Sequence, residues 1–112
     1  MNDCEEYKYF ETLQSAITAF GKANQEIVAI EELSELQKEI TKHLRGNFNR
    51  ANLVEEMADV EIILDQLRLM FDIRLEETED VKKYKIKRLE ERIKKYANDV
   101  VEIFRKNFAE NN

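Results

Sequence analysis

An all-α fold is expected, on three observations. Proline is absent, and only Gly21 and Gly46 interrupt the chain as glycines. Helix formers dominate and 38% of positions are charged, which leaves little room for a sheet. Apolar residues recur at steps of three and four through four successive stretches, the spacing of amphipathic helices. With 112 residues and no linker, repeat or low-complexity tract, residues 1–112 read as one domain.

The first helix is expected over Asp3–Phe20. Phe10, Leu13, Ile17 and Phe20 set its apolar face, Asp3 is placed to cap it, and Gly21 to stop or kink it. The second runs from Lys22 to Leu44, with Ala29, Leu33, Leu36, Ile40 and Leu44 as one stripe. Glu32 and Glu39 fall on the border of that stripe, Glu35 slightly beyond it, and Glu31 points further towards solvent. Gly46 sits where a left-handed residue would close the helix.

The third helix is expected to begin at Asn49 or at Asn52, where Asn52 and Glu55 resemble a capping box, and to run to Ile73. It is apolar nearly all round. Leu53, Met57, Val60, Leu64, Leu67 and Phe71 form one stripe, and Ile62, Leu69 and Ile73 a second. Only Glu61, Asp65, Arg68 and Asp72 make a polar strip. Such a helix is central, and in a chain this short it implies burial by a second copy. The fourth helix is expected over Thr78–Phe108. Ile86, Leu89, Ile93, Tyr96, Val100 and Ile103 form a heptad-like seam, and Lys82, Lys83, Lys85, Lys87, Arg88, Arg92, Lys94 and Lys95 make its first half basic. Asn111 and Asn112 are expected to fray.

The net charge of −6 argues against a nucleic-acid polymer as partner, because backbone neutralisation requires a basic surface. A small phosphate ligand bridged by metal ions remains compatible with it. Cys4, the only cysteine, allows neither an intrachain disulfide nor a thiolate metal site, so a reducing, cytoplasmic setting is expected. The N-terminal residues are acidic and lack the apolar run of a signal peptide, and no stretch is apolar for long enough to cross a membrane.

Chemistry concentrates between Glu31 and Asp59. Glu32 and Glu35 are three residues apart on the second helix, Glu56 and Asp59 three apart on the third, and residues at that spacing share a helix face. Glu56 and Asp59 fall on the arc of Ile63 and Met70, away from the polar strip. If the two helices lie antiparallel across the short polar break, four carboxylates converge among apolar side chains. Their repulsion and desolvation call for a cation.

Glu31-Glu32-Leu33-Ser34-Glu35-Leu36-Gln37-Lys38 followed by Glu55-Glu56-Met57-Ala58-Asp59-Val60 resembles the MazG-like, all-α nucleoside triphosphate pyrophosphohydrolases, whose motif is Glu-Glu-x-x-Glu, a gap, then Glu-x-x-Asp. Ala19-Phe20-Gly21 leading to Gln25, and Lys85-Ile86-Lys87-Arg88-Leu89, extend the resemblance. It covers roughly residues 10–95 and is most specific over 25–70. The resemblance implies an antiparallel four-helix core, a homodimer or dimer of dimers with sites near the interface, Mg²⁺, and cleavage of a nucleoside triphosphate to the monophosphate and pyrophosphate. It implies Glu32, Glu35, Glu56 and Asp59 as metal ligands, with Glu35 or Glu32 as the base, Lys85 and Arg88 as phosphate contacts, and Gln25 and Asn24 near the nucleotide.

Other features read as structural. His43 follows Glu39 at four residues rather than at the Glu-x-x-His spacing of di-iron bundles, and suits a helix C-terminus. Tyr7, Tyr9 and Phe10 read as core or dimer contact, and the lysines of the last helix as a solvated face. No Ser-His-Asp set and no Gly-rich phosphate loop are present. The rival function is a non-catalytic helical oligomerisation or adaptor module. A phosphoribosyl-ATP pyrophosphatase shares the general helical plan, but no residue here specially supports it.

Overall fold

A computed structural model describes residues 1–110, and these residues contain four helices and no strand. They are α1 (Asp3–Phe20), α2 (Lys22–Leu44), α3 (Arg50–Phe71) and α4 (Leu75–Glu110). The expected fraying of Asn111 and Asn112 lies outside the described residues. No described helix is long and apolar enough to cross a membrane. The chain divides into two units, Met1–Ile73 and a second beginning at Arg74.

The helix ends follow from local hydrogen bonding, and several differ from expectation, α4 ending at Glu110 rather than Phe108. Asn2, not Asp3, caps α1. Its side-chain oxygen accepts from the Glu5 N–H at 2.8 Å, the reach of a cap to the third helical residue. Gly21, at φ 89°, serves two helices: its N–H closes α1 on the Ile17 carbonyl, and its carbonyl accepts the Gln25 N–H of α2. A side chain would be strained at that φ.

Past Leu44, the Gly46 N–H bonds the His43 carbonyl and the Asn47 N–H bonds the Lys42 carbonyl, with Gly46 left-handed at φ 88°. This pair of bonds satisfies the last carbonyls of α2 as a Schellman motif does. Asn49 caps α3 by accepting the Asn52 N–H at 3.1 Å, so Asn52 is already inside the helix and the Asn52–Glu55 box is not used. α3 ends at Phe71 rather than Ile73 because Asp72 turns left-handed, at φ 51°, and the Ile73 N–H returns to the Arg68 carbonyl. α4 starts one turn before Thr78. The Glu77 carboxylate accepts the Arg74 N–H at 2.7 Å, the return half of a capping box.

In the first unit, α2 and α3 make the most extensive packing, and α1 lies against both. Leu13, Ala29 and Ile63 are the buried apolar residues, one from each helix. The Tyr9 hydroxyl donates to Asp65 at 2.7 Å, tying α1 to α3, and the Lys22 ammonium stands 4.5 Å over the Phe71 ring.

The buried face of α2 is rotated from the expected stripe. Gln25, Ala29 and Glu39 are buried and Val28, Glu32 and Leu36 half-buried, whereas Leu33, Ile40 and Leu44 are exposed, Leu44 by 79%. Hydrophobicity marks every apolar position, but α3 covers only one side of the α2 stripe. On α3, Met57, Leu64 and Phe71 are likewise exposed within one chain. The described part of the second unit is made by α4. None of its described residues is buried, and its seam from Ile86 to Ile103 is exposed.

Candidate metal centre

The α2–α3 groove brings acids together because acids and core residues share one helical phase. On α3, Glu56, Asp59, Ile63 and Gln66 follow one another at steps of three and four; Ile63 and Gln66 are buried, and the two acids half-buried. On α2, Gln25, Ala29, Glu32, Leu36 and Glu39 do the same. Burying Ala29 and Ile63 therefore carries Glu32, Glu56 and Asp59 into the groove.

Oxygen atoms of Glu32, Glu56 and Asp59 lie within 4.8 Å of one another. Like charges this close resist joint ionisation. Burial, then the Asp59 charge and a hydrogen bond to Asp59, then Glu56 and Glu35, push the Glu32 carboxyl above its ordinary range. Burial, followed by the charges of Asp59, Glu35, Glu55 and Glu39, pushes Glu56 up in the same direction. Glu56 Oε2 is buried without a hydrogen-bond partner. A buried carboxylate oxygen with unsatisfied lone pairs, facing two more carboxylates, suits ligation of a hard cation. These three side chains could hold a metal ion.

The remaining expected residues fall into three groups. Glu35 is exposed and outside the three-carboxylate cluster, but its charge acts on both Glu32 and Glu56. Gln25 is buried and lines a cavity with Glu32 and Asp59, whereas neighbouring Asn24 is exposed and donates to the Phe20 carbonyl at 2.8 Å. Lys85 and Arg88 are exposed on α4, with the Arg88 guanidinium 6.0 Å from the Tyr84 ring centre.

Three placements go beyond the sequence reading, which had Glu39 only on the border of the α2 stripe. Gln66 is buried beside the cluster, and its place seven residues after Asp59, continuing the Glu56–Asp59–Ile63 phase, was the available signal. Glu39 is buried and paired with Lys42 at 3.1 Å, four residues beyond Glu35. Asp65, assigned to the polar strip, accepts from Tyr9, and burial together with that bond pushes the Tyr9 phenol well above its ordinary range.

Comparison with protein-family models, curated proteins and solved structures gives no match to this chain.

Proposed function

We propose that the chain is a Mg²⁺-dependent nucleoside triphosphate pyrophosphohydrolase of MazG-like type, converting a (d)NTP and water to the monophosphate and pyrophosphate. In this reading α2 and α3 run antiparallel in a four-helix core completed by homodimerisation or by a dimer of dimers. The observation that carries it is the convergence of Glu32, Glu56 and Asp59 from two helices, with Glu56 Oε2 buried and unpartnered.

The donor set is all oxygen and all carboxylate, which matches the preference of Mg²⁺ for hard ligands completed by water and substrate phosphates. When bound, the ion neutralises the triphosphate and lowers the pKa of a water. Glu32, Glu56 and Asp59 hold it. Glu35 strengthens the negative field, and either Glu35 or Glu32 takes the proton from the attacking water. Gln25, with Asn24 next to it, lies towards the nucleotide.

Two observations favour the rival oligomerisation module: the uncovered seam of α4, and the exposed Leu33, Ile40 and Leu44 on α2. Both readings use these faces, so only chemistry separates them. Purified protein with Mg²⁺ is incubated with each NTP and dNTP, beside Asp59→Asn. Monophosphate plus pyrophosphate, lost in Asp59→Asn, supports the hydrolase. No turnover and no effect of Mg²⁺ on Tm supports the module.

A further inference from the structure

Beside the acid cluster, Gln25, Val28, Glu32, Asp59, Ile62, Ile63 and Gln66 line a cavity of about 200 Å³. Gln25 is 7% exposed and Gln66 5%, the latter among the most covered side chains described. Neither side-chain amide hydrogen-bonds to another described residue, and neither is sealed from solvent, so their polar atoms stay accessible. A carboxamide carries two donors and an acceptor, and where these reach a cavity they are free to meet a ligand. Here one comes from α2 and one from α3, at a cavity lined also by Val28, Ile62, Ile63 and two carboxylates.

We infer that Gln25 and Gln66 form a carboxamide pair that reads the hydrogen-bonding edge of a nucleobase, making this cavity the base-selecting part of the site. The inference rests on the nucleotide reading above and deepens it by adding Gln66 and a mode of recognition. A cavity of this size is smaller than the roughly 300–1,000 Å³ that encloses a drug-sized ligand, so it suits one flat heterocycle with the sugar and phosphates outside. Apolar side chains contact the ring faces. The two amides supply donors and acceptors in the ring plane, and a base that mismatches them leaves buried polar groups unpaired.

The test uses nucleosides, which lack phosphate and so need neither the ion nor hydrolysis. In nitrogen–proton correlation spectra, the side-chain amide signals of Gln25 and Gln66 are assigned from their loss in Gln25→Leu and Gln66→Leu. Adenosine, guanosine, cytidine, uridine and thymidine are then added at millimolar concentration. Both amide signals are expected to shift with one base class, and Gln66→Leu to lose the remaining Gln25 response. Gln66→Glu, which keeps the shape and exchanges a donor for an acceptor, is expected to change which base produces the shift. Where triphosphate cleavage is measured, Gln66→Leu is expected to lower the kcat/KM ratio between the best and worst base at least about tenfold. Amide signals unmoved by all five nucleosides, or a Gln66→Leu protein with unaltered base preference, overturn the pair. Shifted amides without any triphosphate cleavage overturn the hydrolase and leave the base pocket standing; cleavage with unmoved amides does the reverse.

Discussion

Carboxylate oxygens of Glu32 and Asp59, on different helices, lie within 4.8 Å of each other, with Glu56 completing the group. Two carboxylates in that relationship share a proton or a cation.

The pH dependence of the metal-free protein follows. Glu32 and Glu56 have folded-state pKa values raised above the ordinary 4.5. The folded state therefore binds more protons than the unfolded chain just above pH 4.5, and linkage makes stability fall as pH rises through the folded-state values. Their contribution is fully present below 4.5 and lost above the raised values. Melting curves of the wild type and Glu56→Gln from pH 4 to 8 should diverge, with the variant gaining relative stability as pH rises.

A divalent ion should reverse that penalty. At about one hundred times its Kd, an ion binding only the folded state adds about 2.7 kcal/mol. Glu56→Gln and Asp59→Asn should each melt higher than wild type without ion and lose most of the Mg²⁺-dependent rise. Thermal unfolding with chelator and with Mg²⁺ measures both effects.

Tyr9→Phe should destabilise the first unit by about 1.5 kcal/mol, because it deletes a hydrogen bond to a charged, part-buried acceptor. Urea unfolding gives the value. The raised Tyr9 pKa adds a sign: stability from this phenol is complete below its ordinary value of 10.0 and is lost as pH rises through the folded-state value.

Asp72→Gly should stabilise by about 0.5–1 kcal/mol, since it relieves a left-handed non-glycine residue at the end of α3. An unchanged or lower urea midpoint would show that the Asp72 side chain contributes something the backbone argument omits.

Helix identity was legible because glycine, asparagine and apolar spacing act locally. The bounds of α1 at its end and of α2 throughout come from such signals. The start of α4 did not, because Glu77 acts as a cap only through its bond back to Arg74. The cluster was legible in outline because Glu32, Glu56 and Asp59 keep helical phase with Ala29 and Ile63. Glu35 was harder to place. The rotation of α2 by a fraction of a turn decides whether it joins the groove, and that rotation depends on which side of a broad apolar stripe α3 covers. Gln66 was missed because an uncharged amide within an apolar helix does not announce chemistry; only its phase with Glu56, Asp59 and Ile63 marks it.

The Arg45–Asn49 connection bears on folding kinetics. It joins the two acid-bearing helices directly, so their pairing closes a short loop at small entropic cost and can precede docking of α1. The carboxylates would then meet on the rising side of the folding barrier, and part of their repulsion would be present in the transition state. Relief of that repulsion, by an ion or by Asp59→Asn, would appear chiefly as faster refolding, with less change in the unfolding rate.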